Sequence, residues 1–508
     1  MQNPLATYEA AIAALKDADD TAALGFKHQA VLALSRAGSL EFALSEYARY
    51  GLGEICHHED IMGLGGRLYK DLYLSHQGAQ AREYARLSAE QYEDAFRDTG
   101  GYYSGINAAT MSRLGGMPKE VVDMQARKIL EILSIEDEVS DEEIYFIEAT
   151  RAEAYLLLGD IERAQAALRR ALDYDPLNYI AHASTLKQFR MLGRAEGKDL
   201  PWLSEFDPPR AMHFAGHIFG REGDAKDFSV LTPEQEDQLF SEASNIIQEN
   251  DIGIGYGALA AGADILIAEA LLEEGGELHV ILPIDEKKFV EASVKPFGKQ
   301  WMRRFSACLK QASTISVFDY FSDWPDTLLR ERASLIAMGG AIRNSEELSV
   351  SACQLLIWEG KKGTAGTAKD AQTWQKSGRK QFIIDYKWPR NAKPHPKPKP
   401  GYKFRAAVFR SDGEEPIIYD DLLEAIVAAT AARTEQPNIA QSVDYDLTHA
   451  EDLGSLLIND IGDALPGAIH MSELSANYLS VYHSDDYRVD YIGLSPDGTR
   501  VFTLRERG

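Results

Sequence analysis

The chain has 508 residues, with 79 Asp or Glu against 53 Lys or Arg, a formal net charge of −26. Its length predicts about two to four domains, and its 45% hydrophobic and 26% charged content is that of a folded globular protein. So acidic a surface repels phosphate backbones and anionic membranes, which excludes duplex nucleic acid as a partner while leaving room for one small phosphate. Cys56, Cys308 and Cys353 are widely spaced and form no CxxC, which excludes a disulfide scaffold and a cysteine-rich zinc site and suits a reducing compartment. The opening MQNPLATYEAAIAAL has no basic flank, so it does not read as a signal peptide. The most apolar long stretch, Ile252 to Leu272, carries Asp264 and Glu269, which lipid would penalise; no membrane span and a cytoplasmic location are expected.

From the start to about residue 195 the pattern is helical and alanine-rich. The clearest unit runs from Tyr145 to Asn178. Gly159-Asp160 suits a turn, Ala164 and Ala171 allow close helix contact, and Pro176 stops the second helix. It resembles a tetratricopeptide repeat, whose period is about 34 residues. AVLALSRAGSLEFALSEY repeats the offset with Gly38 and Ala43, and an irregular third pair is expected around Leu114 to Leu133. About three such units bury a continuous core, so a short solenoid is expected. GGYYSGINAATMSRLGG, Gly100 to Gly116, resembles the Y-x-GIN-A-x-L segment of the TRAF-binding, tetratricopeptide-like domain of stress-activated kinase-kinase-kinases and their bacterial relatives. That resemblance covers roughly residues 5 to 195 and implies a protein-docking scaffold. Gly105 and Asn107 read as structural, one for a close helix contact and one for a local side-chain cap.

Near Asp207-Pro208-Pro209 strands begin to alternate with helices. Strands are predicted at Ala211 to Ala215, Ile252 to Gly255, Glu277 to Pro283, Ile315 to Phe318, Ser351 to Trp358 and Gln381 to Asp385. Thr232-Pro233-Glu234 starts a helix that runs to about Glu249, and another is predicted from about Ala260 to Glu274. This alternation predicts a parallel sheet covered on both faces.

IGIGYGALAAGADILIAEALLEEGGELHVILP, Ile252 to Pro283, leads a strand through a glycine-rich turn into a helix at the ligand-binding edge of such a sheet. A helix start offers free N–H groups and a positive dipole end to a phosphate, and Gly255, Gly257 and Gly262 are expected to leave the backbone open to it. The spacing GxGxxxxG is not a strict dinucleotide fingerprint. Together with strand–Gly216-His217, then Gly257-Ala258 through Gly262-Ala263-Asp264, Glu269 and strand–Pro283, it resembles the SLOG superfamily. That superfamily includes the LOG nucleotide hydrolases, the DprA-like proteins and the ligand-sensing domain of some TRPM channels. The resemblance spans about 207–386 and implies a Rossmann-like sheet that binds a nucleotide or nucleotide-derived ligand. It implies that Gly216, Gly257 and Gly262 line the phosphate end, with Ala258 among the ligand-binding residues. Asp264 would touch a ribose hydroxyl or, alternatively, complement the helix dipole, and Glu269 would be a polar pocket residue. His217 would meet phosphate or base, or serve as a structural residue.

A second glycine-rich turn, EGKKGTAGTAKDAQTW, offers Lys361, Lys362, Gly363, Thr364, Gly366 and Thr367 before another helix start, a second place for an anion. The family's hydrolases carry PGGxGTxxE here. This chain keeps Gly366-Thr367 and has Asp370 at the acidic position, but lacks the proline and the double glycine, which weakens the case for catalysis. Trp301, Arg303 and Arg304 in KQWMRRF offer a ring and a phosphate clamp; an ordinary amphipathic helix is the other reading.

Lys387 to Lys403 holds five prolines and six Lys or Arg and is expected to be an extended linker. Beyond it, 19 Asp or Glu stand against 7 Lys or Arg, a local charge of −12. The segments YKFRAAVF and YRVDYIGLSPDGTRVFTLRERG resemble the first and last strands of class III nucleotide cyclases. With Arg410-Ser411-Asp412-Gly413 in place of the metal-holding motif, the resemblance implies a degenerate, inactive domain.

The fold class expected is α plus α/β: a helical-repeat solenoid (1–200), a Rossmann-like parallel sheet (205–386), a Lys/Pro-rich linker (387–403) and a small acidic α/β module (404–508). The expected function is a nucleotide-sensing signalling protein. Binding of a small phosphorylated ligand would be coupled to protein docking by the repeats, with no metal and with homo-oligomerisation left open. The alternatives are an N-glycosidic nucleotide hydrolase using Asp370 or Glu269, and a pure scaffold.

Overall fold

A computed structural model describes residues 4–134, 141–221, 230–317, 326–360, 366–386, 402–412, 416–436, 439, 441–449, 465–495, 498 and 500–507. The first unit is a stack of helices: α1 (Pro4–Leu15), α2 (Asp20–Arg36), α3 (Leu40–Arg49), α4 (Glu59–Ser75), α5 (Gly78–Thr99), α6 (Tyr102–Leu114), α7 (Lys119–Leu133), α8 (Asp141–Leu158), α9 (Ile161–Tyr174) and α10 (Tyr179–Ala195). Local chemistry sets its turns. Gly38 and Gly159 take φ of +85° and +83°, and the Asp160 and Asn178 carboxyl and amide oxygens accept the N–H of Arg163 and Ala181, each at 3.2 Å. Buried alanines such as Ala85, Ala109, Ala126 and Ala154 let the helices approach closely. Gly105 stands against α7, where a Cβ would lie 2.2 Å from Ile129 Cδ1. Asn107 donates to the Tyr103 carbonyl four residues back at 2.9 Å and accepts from Lys70 Nζ at 2.9 Å, so its cap also ties α4 to α6.

The central unit follows: β1 (Arg210–Gly216), a short parallel pair β2 (Gly220–Arg221) and β3 (Val230–Leu231), α11 (Pro233–Glu249), β4 (Ile252–Gly257), α12 (Ala263–Glu273), β5 (Glu277–Leu282), α13 (Glu286–Ser293), α14 (Lys299–Gln311), β6 (Thr314–Val317), α15 (Asp326–Leu348), β7 (Cys353–Trp358), α16 (Thr367–Lys376) and β8 (Lys380–Asp385). The main sheet has the order β6-β5-β4-β1-β7-β8 and every pair is parallel. From β1 the chain steps outward through β4, β5 and β6. The crossover through α15 then returns it to the other side of β1, so the winding reverses between β1 and β7. That reversal opens a crevice at the carboxyl ends of the two strands. Burial of β7 on every residue reflects helices on both faces. The expected strands lie within two residues of the observed ones; Phe318, expected in the fourth, is outside the described residues. The helix expected from Ala260 starts at Ala263, because Gly262 at φ +101° and the Ala261 N–H bonded to the Ser293 carbonyl hold the preceding turn open.

The C-terminal unit comprises β9 (Tyr402–Arg410), β10 (Ile417–Tyr419), α17 (Leu422–Glu435), β11 (Gln441–His449), β12 (Ile469–Met471), α18 (Glu473–Tyr482), β13 (Tyr487–Leu494) and β14 (Arg500–Glu506). Its mixed sheet has the order β10-β9-β11-β12-β14-β13, with α17 and α18 over a core of Val408, Ile426, Met471 and Phe502. The strand begins at Tyr402, two residues inside the expected linker, whose residues 387–401 lie outside the described residues. This unit touches both others. Leu465, Ala468, Ile492 and Val501 share a buried cluster with Leu5, Val31, Leu34 and Leu64 of the helical unit, and α18 packs along α15.

Candidate functional site

At the crevice between β1 and β7, β1 ends at Gly216 and the N-terminus of α16 arrives over it, the Thr367 hydroxyl donating to the Gly216 carbonyl at 3.0 Å. The N-terminus of α12 comes from the other face of the sheet, and the Ala263 N–H donates to the His217 carbonyl at 3.1 Å. These two helix starts bring Asp264 and Asp370 within electrostatic reach of each other. Asp264 is buried, and the Ala260 N–H donates to its Oδ2 at 3.1 Å. Burial raises its carboxyl to about 7; the Ala260 N–H opposes that shift, the neighbouring Asp370 adds to it, and Gly216 N–H and Arg330 oppose it. Burial likewise raises Asp370 to about 7, with Glu331 adding and the Ser334 hydroxyl and Lys369 opposing. Lys369 is itself paired with Glu331 of α15. Near neutral pH each aspartate is therefore partly protonated. Two such groups can offer a neutral carboxyl that donates and a carboxylate that accepts.

Among the residues expected at the site, Gly216, His217, Asp264, Thr367 and Asp370 meet here, while Lys361, Lys362, Gly363 and Thr364 lie outside the described residues. The glycines of the first turn do not face open space. A Cβ on Gly216 would lie 2.2 Å from Ala263 Cβ, on Gly257 2.6 Å from the Phe214 ring, and on Gly262 2.7 Å from the Phe219 nitrogen. Gly255 is filled likewise, by Leu271. Their absent side chains make room for the protein's own chain, and Ala258 packs against the same core. Gly366 takes φ +59°, and among the described residues nothing lies within 4 Å of a Cβ built on it.

Glu269 and Arg304 are joined to each other. Arg304 Nε donates to both Glu269 oxygens, at 2.8 and 3.0 Å, its terminal nitrogens reach Glu269 and Glu236, and it stacks 4.3 Å over the Trp301 ring. Arg304 is thus committed to carboxylates of α11 and α12 rather than to a phosphate, and Glu269 is committed to it. Five residues along α12 from Asp264, Glu269 has rotated to the α14 side. Trp301 is fully buried in the core, so α14 is the ordinary amphipathic helix and offers no stacking ring.

Sequence reasoning missed the α15 residues Arg330, Glu331 and Ser334. Their helix was legible in DTLLRERASLIAMGGAIRNSEEL, with apolar Leu329, Ala333, Ile336 and Ala337 at helical spacing, but Gly339-Gly340 interrupts the pattern. It also missed His213, fully buried on β1 beside Gln354 of β7 (Nδ1 to Nε2, 2.9 Å) and lowered to about 3 by burial, hence a neutral structural residue.

The family model TPR-S (Tetratricopeptide Repeats-Sensor) matches residues 7–112, and no curated protein matches the chain. The N-terminal unit is thus tetratricopeptide-like by sequence as well as by its helical pairs. Among the described residues no helix is long and apolar enough to cross a membrane.

Proposed function

We propose that this chain is a signalling sensor in which a small phosphorylated, nucleotide-type ligand binds at the switch point of the central sheet and the helical repeats dock a protein partner. The observation that carries this reading is the convergence of Asp264, Asp370 and the α16 N-terminus over the end of β1. Two buried carboxyls raised towards neutrality suit the hydroxyls of a ribose, and the helix start suits a phosphate. The sensor-type repeat match supports a role in signalling through protein contact. The SLOG and cyclase resemblances belong to this proposal: the first gives the ligand class, the second a C-terminal module with no reaction of its own, in a cytoplasmic protein.

Calorimetry of the purified chain against mononucleotides, cyclic oligonucleotides and ADP-ribose tests it. One of these is expected to bind, with affinity falling about tenfold in Asp264→Asn or Asp370→Asn, the worth of one to two hydrogen bonds. No binding by folded protein would overturn it. A second reading, N-glycosidic hydrolysis, is favoured by one observation: Asp370, at the family's acidic position, is raised towards neutrality by burial as a general acid must be. Release of free base from nucleoside monophosphates, lost in Asp370→Asn, would decide for it.

A further inference from the structure

The seam between the helical unit and the C-terminal unit has an apolar part, where Ile492 and Val501 meet Val31 and Leu34, and an ionic part beside it. In the ionic part Arg505 of β14 donates to the Arg36 carbonyl at the end of α2 at 2.9 Å. Its Nε lies 2.8 Å from Asp490 of β13, which Arg488 Nε also meets at 2.8 Å. Arg36 has Arg67 and Asp71 of α4 within electrostatic reach, and the Ser35 hydroxyl donates to Asp71. Lys70, one position before Asp71, donates to Asn107 of α6 at 2.9 Å and to Gln188 of α10. Lys187, next to Gln188, is in electrostatic reach of Arg488 and Asp490. Helices α2, α4, α6 and α10 and strands β13 and β14 thus close one band of charged groups.

The charges in this band do not balance. Arg36, Arg67, Lys70, Lys187, Arg488 and Arg505 stand against Asp71, Asp490 and Glu153, the last buried behind Lys70 and bonded to Thr110 and Gln188. Glu346 of α15 also acts on Lys187 and Arg488 but is paired with Arg507, and the exposed Glu347 gives Lys187 its carbonyl at 2.8 Å. Asp71 serves Arg36, Arg67 and Lys70 at once. Among the described residues the Arg36 side chain makes no ion pair or hydrogen bond. Arg67 Nε is buried without a hydrogen-bond partner, 3.9 Å from Asp71. Like charges are held together instead: burial lowers Arg36 and Arg67 adds to that, while burial lowers Lys187 to about 8 with Arg488 adding. In a chain of net charge −26 this surplus runs against the general trend. Solvent reaches it. Arg67 and Arg488 keep 36% and 39% of their side chains exposed, and Tyr103, hydrogen-bonded to Arg67, keeps 44%.

We propose that this band is a binding site for a small polyanion, with one anionic group seated between Arg36 and Arg67 and the remaining charge turned towards the cations across the seam. Two guanidiniums side by side with one shared carboxylate repel each other, and an anion between them removes that repulsion. Their planar forks fit a phosphate or a carboxylate with two parallel hydrogen bonds. The shared chemistry of the ligand is two or more such groups on a small molecule, since the band lies between two units of the same chain. Lys70 is fixed by Asn107 and Gln188 and adds attraction from below, which gives the asparagine of the GIN segment a part in the site beyond capping its helix. The site shares no residue with the switch-point crevice and stands whether or not the crevice binds a nucleotide.

Calorimetry of the full chain at low ionic strength, with pyrophosphate and with citrate as separate probes, tests it. At least one is expected to bind. Pyrophosphate alone marks a phosphate-bearing ligand, citrate alone a polycarboxylate, and both together an anion site without preference between them. Affinity is expected to fall about tenfold or more in Arg36→Met and in Arg67→Met, the loss of a charge-assisted hydrogen bond or two, and a few-fold in Lys187→Met. It is also expected to weaken as salt is added. Absence of binding by folded protein would overturn the proposal. Equal affinity in the parent and in Arg36→Met would place the anion elsewhere, the switch point included, and would overturn it too. Should Arg67→Met fail to fold through loss of its bond to Tyr103, Arg36→Met decides alone, since its side chain ties no other described residue in place.

Discussion

Asp264 and Asp370 are raised mainly because burial strips water from a charge that neighbouring N–H groups and cations only partly replace. The consequence for stability has a definite sign. The folded protein holds the Asp264 proton up to about pH 7, whereas the unfolded chain releases it near pH 4. Between those values the folded state binds more protons, so this group's contribution to stability falls as pH rises from about 4 to 7 and is flat above. Asp264→Asn keeps an acceptor for the Ala260 N–H and removes the charge. It is expected to be more stable than the parent by about 1–3 kcal/mol at pH 8 and equal to it near pH 4, by urea unfolding at both. An equal gain at both pH values would show that burial of the charge is not the cause. At this scale the sequence was informative about a residue's place, as for Asp264 and Asp370 in the first turns of their helices. It was silent where the role depends on a partner far along the chain. Glu269 and Arg304 are 35 residues apart, and nothing local to either announces that they neutralise each other.

At the scale of elements, strand, glycine turn and helix were legible in order because each has a local signature. One is the capping box at Thr232 and Gln235; another is the apolar run Leu355 to Trp358 of β7. The purpose of the glycines was not legible. A missing side chain looks the same in sequence whether the space is taken by a ligand or by the protein, and here Gly216, Gly257 and Gly262 admit Ala263, Phe214 and Phe219. Among the described residues, Gly366 has no neighbour within 4 Å of a would-be Cβ. The two kinds separate by mutation. Gly262→Ala combines a positive φ with a 2.7 Å contact to backbone and is expected to cost about 2–4 kcal/mol. Gly366→Ala, strained in φ but unobstructed, is expected to cost about 1 kcal/mol. Thermal unfolding of both variants measures the difference, and equal costs would mean that Gly262 is not packed as described.

For the whole molecule, the charge of −26 acquires a distribution. The six cations between Lys387 and Lys403 face no carboxylate in their own segment, which leaves −32 on the remaining residues. From residue 404 on there are 7 Lys or Arg and all are in ion pairs: Arg488, Arg500, Arg505 and Arg507 with Asp490, Glu473, Asp490 and Glu346, and Arg405, Arg410 and Arg433 with Asp420, Asp412 and Glu506. Arg505 also donates to the carbonyl of Arg36 at 2.9 Å, across to the end of α2. Cations scarce in sequence are therefore concentrated where this unit meets itself and its neighbours, an arrangement no local pattern could reveal. The helical unit depends on that meeting. Ile492 and Val501 complete the cluster of Leu5, Val31, Leu34 and Leu64, and Gly38 stands 3.4 Å, by its would-be Cβ, from the Thr503 hydroxyl. Without the C-terminal unit the first helices would expose that cluster to water, at about 25 cal/mol per Å² of apolar surface. A chain ending at residue 386 is accordingly expected to exchange amide hydrogens about tenfold or more faster in α1–α3 than the full chain. Protection in α8–α10, which pack on one another through Ala152, Leu168 and Phe189, should persist. Uniform loss of protection across all ten helices would instead make the repeats one cooperative block. Unchanged exchange in α1–α3 would show that the apolar seam does not hold them.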